Sequence, residues 1–206
     1  MQTTGPGFSE EHALRDGSRV RLRHIRPEDA DELKRGMERL SPASRYSRFL
    51  GSVGQLSEGL IHYLTNVDGQ DHVAIVATRP RADGGEEGLG VTRFVRVHGE
   101  PTVAEPAITV LDDEQHKGIG HLLALTLARA AHERGISHFR GEILANNDAI
   151  RELLSNVGAE LRATEDGRVV FDVGLEGAPP TDEGPHPARS LLAAASTWLA
   201  GLFRAH

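Results

Sequence analysis

Residues 102–120 read TVAEPAITVLDDEQHKGIG, and residues 121–134 continue as HLLALTLARAAHER. The first ten residues mix β-branched and other apolar side chains, which is typical of a strand. From Gly118 onward apolar residues recur at helical spacing, and Gly135 is the expected C-terminal cap. Glycines let the backbone approach a ligand closely, and the free N–H groups at a helix start attract anions. The stretch therefore predicts a strand, a loop and a helix that hold a diphosphate.

Two well-known phosphate loops do not match this stretch. The Walker pattern requires a Gly-Lys-Ser/Thr sequence, and none follows Gly118. The dinucleotide fingerprint requires a third glycine, and Leu123 occupies that position. The loop therefore belongs to neither class.

The rest of the chain predicts an α/β protein with a single domain over residues 14–175. Residues 1–13 are interpreted as a disordered tail. We predict helices to begin at Pro27, Ser41, Ser57 and near Asn147, from their capping residues and apolar spacing. Predicted strands cover residues 19–25, 72–78, 89–97, 102–111, 138–144, 161–164 and 169–173, and the second to fourth of these form an antiparallel meander.

The C-terminal region has a different composition. Residues 176–187 are rich in Gly, Pro and acidic residues, which predicts a linker. Residues 188–206 place apolar side chains such as Trp198 on one helical face, which predicts an amphipathic helix. We expect this helix to dock on a second copy of the chain, on another partner or on the domain itself. Membrane binding is disfavoured because its polar face has few basic residues.

Composition limits the classes of function. The formal net charge of −7 disfavours nucleic-acid binding, and Arg19, Arg21 and Arg23 alternate as one solvent-facing side of a strand. The chain has no cysteine, which excludes a thiol nucleophile and zinc-thiolate sites. The 11 histidines form no metal-binding pattern, so no metal is expected. No run is long enough for a membrane span and no signal peptide is present, so the expected location is the cytoplasm.

Gln115–Gly120 matches a Gln/Arg-x-x-Gly-x-Gly/Ala signature and resembles the GNAT superfamily of N-acyltransferases. Residues 14–17, 26–29 and 40–49 are similar to the catalytic domain of bacterial Pat-type protein lysine acetyltransferases. The resemblance covers about residues 14–175. It implies an α+β fold with a mixed, mostly antiparallel sheet of about six to seven strands, flanked by helices and splayed between strands four and five.

The same resemblance implies which residues bind acetyl-CoA as co-substrate. The backbone of the fourth strand pairs with the pantetheine arm, the loop amides take the pyrophosphate, and a later asparagine contacts the CoA arm. The alternative without a binding role is that His121 is a solvent-facing residue and that Lys117 is a mobile charge. The implied binding residues are Ile108, Val110, Leu111, Gln115, His116, Lys117, Gly118, Ile119, Gly120, His121 and Asn147.

Glu105 matches the position of a glutamate in Pat-like enzymes and is the implied general base. An alkyl amine has a pKa of about 10.4, so a carboxylate that accepts its proton is useful at neutral pH. The structural alternative is a glutamate in a surface ion pair. Pro106 departs from the family pattern, and Leu154 stands where many relatives place a tyrosine acid, so no general acid is identified.

The resemblance predicts transfer of an acetyl group from acetyl-CoA to a primary amine, and the favoured acceptor is a protein lysine. A small-molecule amine remains open as the acceptor. Two other classes also remain open. One is a non-catalytic acyl-CoA-binding or sensor module, and the other is a scaffold centred on residues 188–206.

Overall fold

A computed structural model of the chain describes residues 3–42, 44, 56–145, 159–164 and 167–175. Two short 3-10 helices cover Pro27–Asp29 and Asp112–Glu114. The helices are α1 (Ala30–Arg39), α2 (Glu58–Thr65) and α3 (Ile119–His132). The strands are β1 (Ser9–Ala13), β2 (Arg19–His24), β3 (His72–Pro80), β4 (Glu86–Arg96), β5 (Val103–Val110), β6 (His138–Leu144), β7 (Glu160–Ala163) and β8 (Arg168–Gly174).

The described strands form one sheet in the order β1-β2-β3-β4-β5-β6-β8-β7. Neighbouring strands are antiparallel except β5 and β6, which are parallel. The β5–β6 ladder contains only the pairs Val103↔His138 and Ala104↔Phe139. Beyond Ala104 the two strands separate, so the mixed and splayed sheet implied by the resemblance is confirmed.

Helix α3 forms where the apolar spacing predicts it. Its buried residues include Ile119, Leu123 and Leu127, which pack on the central strands. Gly118 caps its N-terminus with φ 96° and ψ −2°, a conformation that side chains disfavour. Gly135 ends the helix with φ 73°, and its N–H donates to the His132 carbonyl. Glycines therefore define both ends.

The two faces of the sheet are covered by different helices. Helix α3 contacts β3, β4 and β5 on one face, whereas α1 and α2 contact each other and α1 contacts β4. A cluster of buried residues that includes Phe94, Leu123 and Phe139 forms the core beneath α3. The unpaired part of β5 therefore belongs to a sheet that α3 covers on one face and α1 covers on the other.

The prediction of a disordered tail over residues 1–13 is wrong for Ser9–Ala13, which form β1 and pair with β2. The sequence SEEHA lacks the apolar alternation that predicts a strand. Long-range contacts hold this strand instead. Glu10 accepts a hydrogen bond from Arg129 at 2.9 Å, and Glu11 accepts one from Arg21 at 2.9 Å. Counting β1, the described sheet has eight strands rather than the expected six to seven.

Arg23 also differs from its prediction as a solvent-facing residue. Its guanidinium is buried and donates to both carboxylate oxygens of Asp29 at 2.8 Å and to Glu86 at 2.8 Å. The 3-10 helix before α1 covers this end of β2, so the face of β2 that carries the arginines is only partly exposed. The predicted helices over 41–49 and 147–157 lie almost wholly outside the described residues, as do the linker over 176–187 and the helix over 188–206.

Candidate active site

Among the described residues, no strand pairs with the edge of β5 next to the splay beyond Ala104. In an antiparallel pair, alternate residues direct their backbone groups toward the partner strand. The N–H of Val97 donates to Val103, and the N–H of Leu111 donates to Leu89, so the odd-numbered residues of β5 bond to β4. Even-numbered residues point the other way, toward the gap between β5 and β6. Ile108 therefore presents both its N–H and its C=O to the gap.

Pro106 fits this arrangement. It lies opposite Phe94 at a position whose N–H would point into the gap rather than toward β4. Proline has no N–H, and it is tolerated in a sheet where no ladder bond is required. The departure from the family pattern thus costs β5 no hydrogen bond to β4.

The loop from Gln115 to Gly120 joins β5 to α3 and gathers unpaired amides. His116 has φ 63°, and it is the one non-glycine residue with positive φ in the described part of the chain. Left-handed residues in a loop can turn several N–H groups to one side and form an anion-binding concavity. Among the described residues, the N–H groups of residues 115–120 find no acceptor. The backbone of the predicted diphosphate loop is therefore compatible with anion binding.

A buried carboxylate braces this loop. Glu114 is 6% exposed, accepts hydrogen bonds from Arg79 at 3.1 and 2.8 Å, and accepts one from Lys117 at 3.0 Å. Burial alone would raise the pKa of Glu114, but the hydrogen bonds and charges of Arg79 and Lys117 hold it below its ordinary value. Lys117 is therefore held in an ion pair and is not a freely mobile charge in this structure.

The predicted binding residues do not all face the gap. The Val110 carbonyl accepts a long hydrogen bond of 3.4 Å from the Gln115 side chain. Leu111 uses its N–H to bond Leu89, and its side chain lines a cavity on the α1 face. Ile119 and Gly120 are buried at the start of α3, and His121 is half-buried on its first turn. Asn147 lies outside the described residues.

Glu105 lies immediately beyond the last β5–β6 pair. Its backbone pairs with Val95, and its side chain is exposed on the face of the sheet that α1 covers further along. No hydrogen bond or ion pair joins its carboxylate to the residues that the structure describes, so the surface ion pair considered as its alternative role is not observed there. An exposed, unpaired carboxylate at the point of splay is available to accept a proton.

A cavity lies on the same face, between α1, α2 and strands β3 to β5. Counted together with the open solvent at its mouth, its empty space is about 720 Å³. Its wall is mainly apolar, and β5 contributes Thr109 and Leu111 to it. Apolar residues from the helices and from β3 and β4 complete it, including Leu33, Met37, Leu40, Leu64, Val76 and Val91.

The polar groups that line this cavity are almost all engaged. Glu32 accepts from the Gly88 N–H at 2.9 Å and from Arg81 at 3.0 Å. Arg93 donates to His72 at 2.9 Å and to the Leu64 carbonyl at 3.1 Å. The buried hydroxyl of Thr109 has no hydrogen-bond partner among the residues that the structure describes. A buried hydroxyl without a partner is costly and is suited to a polar group of a ligand.

Sequence reasoning missed several residues that organise this site. Asp112, Glu114 and Arg79 brace the loop, and Thr109 supplies the unpartnered hydroxyl. The acidic run at 112–114 was visible directly before the glycines, but its partners come from β3 and from the end of α1, which no local pattern reveals. In the described ranges, no group of three or more His, Asp or Glu residues could hold a metal ion. No helix of the described part of the chain is long and apolar enough to cross a membrane.

Comparison with known proteins identifies relatives of this chain. A family model described as an acetyltransferase (GNAT) domain matches residues 19–160. Acetyltransferase Pat from Mycolicibacterium smegmatis is 34% identical over 176 residues, which are 84% of this chain and 50% of that protein. Acetyltransferase PA5475 from Pseudomonas aeruginosa is 33% identical over 146 residues, which are 71% of this chain and 77% of that protein.

The solved structures agree with the sequence relatives. The crystal structure of the GNAT domain of S. lividans PAT superposes with a TM-score of 0.70 at 31% identity, covering 82% of this chain and 98% of that one. The chain spans about half the length of the mycobacterial Pat that it matches. The similarity to that protein therefore concerns only part of it.

Proposed function

The chain belongs to the GNAT acetyltransferase family, and we propose that it transfers an acetyl group from acetyl-CoA to a primary amine, with protein lysine as the first acceptor. One observation carries this proposal. The open edge of β5 leads directly into a loop whose amides have no acceptor among the described residues. A long ligand with amides at one end and a diphosphate at the other matches both features.

The donor would lie along this path. The amides of residues 115–120 and the positive end of the α3 dipole would bind the diphosphate. Ile108 would pair with the pantetheine arm through its backbone N–H and C=O, as an added strand does at a sheet edge. Acetyl-CoA would supply an activated thioester carbonyl, which the gap would hold near Pro106 and Ile108.

Glu105 would act as the general base. An amine with a pKa of about 10.4 is protonated at neutral pH, and forming the free nucleophile costs about 3.4 pKa units, or ~4.6 kcal/mol. Glu105 can accept that proton directly or through one water, because its carboxylate is exposed and unpaired at the splay. The amine nitrogen would then bond to the acetyl carbon while the carbon–sulfur bond breaks and the thiolate leaves.

The cavity beside β5 would receive the acceptor. Its apolar wall suits the aliphatic stem of an amine, and the Thr109 hydroxyl suits one polar group elsewhere on the acceptor. It lies on the same face of the sheet as the Glu105 side chain, so both groups can act on one acceptor. A lysine side chain has such a stem, and so do many small amines.

Binding and turnover of a Glu105→Gln variant test the proposal. We expect CoA and acetyl-CoA to bind the wild type with a measurable heat in calorimetry, and the variant to keep that affinity within about threefold. Turnover should fall about 10² to 10⁴ fold near pH 7, the usual worth of a general base, and should partly recover as pH rises. Glu38→Gln, at an exposed position of α1, is the matched control and should leave turnover unchanged.

The outcomes separate the open functions. Equal turnover of wild type and Glu105→Gln across pH 6.5 to 9 would assign the base elsewhere. Acetyl-CoA binding without any turnover would favour a sensor module. Incubation of labelled acetyl-CoA with cell extract then identifies the acceptor class, because labelled protein and labelled metabolites separate by size.

A further inference from the structure

Three consecutive acidic residues precede the proposed CoA-binding loop at residues 115–120 (the CoA loop), and each has different partners. Asp113 pairs with Arg39 at 2.8 Å, and Glu114 pairs with Arg79 and Lys117. Asp112 forms no ion pair in the described ranges. Its carboxylate instead accepts hydrogen bonds only from neutral donors, which gives it a different role from its neighbours.

Those donors come from two separate parts of the fold. Asp112 Oδ2 accepts from the Ser41 N–H at 2.9 Å, and Oδ1 accepts from the Ser44 hydroxyl at 2.7 Å and the Ser41 hydroxyl at 3.2 Å. The same Oδ1 accepts from the Gln115 side chain at 3.4 Å. One carboxylate therefore joins the chain that follows α1 to the first residue of the CoA loop.

The serine side of this junction borders the acceptor cavity. Leu40, the residue that follows α1 and directly precedes Ser41, is 3% exposed and lines the cavity. Leu111, which directly precedes Asp112, lines it as well. Asp112 is thus adjacent to one residue of the cavity wall and bonded to the neighbour of another, while Gln115 connects the same carboxylate to the donor site.

We propose that Asp112 is a positioning residue that couples binding of the CoA donor at residues 115–120 to the conformation of the acceptor cavity. The inference rests on the proposed function. Donor binding changes the hydrogen bonding of Gln115, which shares Oδ1 with Ser41 and Ser44. Because coupling between sites is reciprocal, fixing Ser41 and Ser44 also favours the donor-binding conformation of the loop.

Hydrogen exchange of the segment 37–44 tests this coupling without a known acceptor. CoA should slow exchange in this segment about fivefold or more in the wild type, the lower end of the usual coupling range. Asp112→Asn should abolish that protection while the calorimetric dissociation constant for CoA stays within about fivefold. Asp113→Asn is the matched control, because it removes an exposed ion pair at the same end of α1 and should keep the protection.

Each result supports or overturns the coupling. Wild-type protein that binds CoA without protecting 37–44 overturns it while the proposed function stands. Wild-type protein that does not bind CoA overturns the proposed function itself. Protection that persists in Asp112→Asn, or is lost equally in Asp113→Asn, also overturns the coupling. Ser44→Ala provides a second variant if Asp112→Asn does not fold, and it should weaken the protection without changing Gln115.

Discussion

Gly118 offers a direct test of the CoA loop, because its backbone conformation and its surroundings can be separated. It has φ 96°, and a Cβ added there would meet no atom within 4 Å. The cost of Gly118→Ala is therefore backbone strain alone. Placing an L-residue in the left-handed region costs about 1–2 kcal/mol. For a chain of this size each kcal/mol lowers Tm by roughly 2–4 °C.

The strain should also appear in CoA affinity. The alanine variant can relieve its strain by moving the loop, and CoA binding must then restore the original conformation. If the full 1–2 kcal/mol is repaid on binding, the dissociation constant rises about 5- to 30-fold. Calorimetric titration with CoA measures this change, and chemical denaturation measures the stability loss.

Gly84→Ala is the matched control. Gly84 has φ 84° in the turn between β3 and β4, and a Cβ there would also meet nothing within 4 Å. Both variants should lose similar stability, but only Gly118→Ala should bind CoA more weakly. Equal CoA affinity in the two variants, at equal stability loss, would refute the assignment of residues 115–120 as the diphosphate loop.

Three further predictions concern other parts of the chain. Gly90→Ala should destabilise the fold by about 1–3 kcal/mol, because its Cβ would lie 2.8 Å from the Thr109 carbonyl oxygen, whereas Gly88→Ala meets only the movable Glu32 side chain at 3.2 Å and should cost less in denaturant unfolding. Burial and the charge of Arg93 lower the pKa of His72 to about 4, so the unfolded chain takes up a proton near pH 6.5 and the folded chain only at lower pH. The free energy of unfolding should therefore fall by at most about 3 kcal/mol as the pH drops from 6.5 to 4. His72→Gln should flatten this slope in pH-dependent unfolding. Trp198→Asp should change the elution volume or the Tm if residues 188–206 dock as predicted, and identical values would leave the apolar stripe without a role.

The local elements of the site were predictable because their signals are local. Strand β5, the glycines at 118 and 120, and α3 follow one another in the sequence, and β-branched content, glycine and helical spacing each act over a few residues. The family signature lies within the same stretch. The positions of these elements were therefore predictable from the sequence, and the splay of the sheet was implied by the family resemblance.

The misses have long-range causes. β1 has no apolar alternation, and it forms because its carboxylates meet Arg21 and Arg129 from distant parts of the chain. Arg23 is buried because Asp29 and Glu86 both reach it. The role of Asp112 depends on two serines about seventy positions earlier. The catalytic role of Glu105 stays a prediction, since its placement at the splay supports that role without measuring it.

The unpaired edge of β5 has a consequence for solubility. A strand edge with free N–H and C=O groups can pair with another chain, and such pairing leads to aggregation. The proposed binding of the pantetheine arm requires an accessible edge, so another strand cannot cover it. Glu105 and Pro106 lie where the edge first opens, and charge and proline are the two residue types that most discourage strand addition. The proline that departs from the family pattern thus helps to reserve the edge for a small ligand and to keep it from other polypeptides.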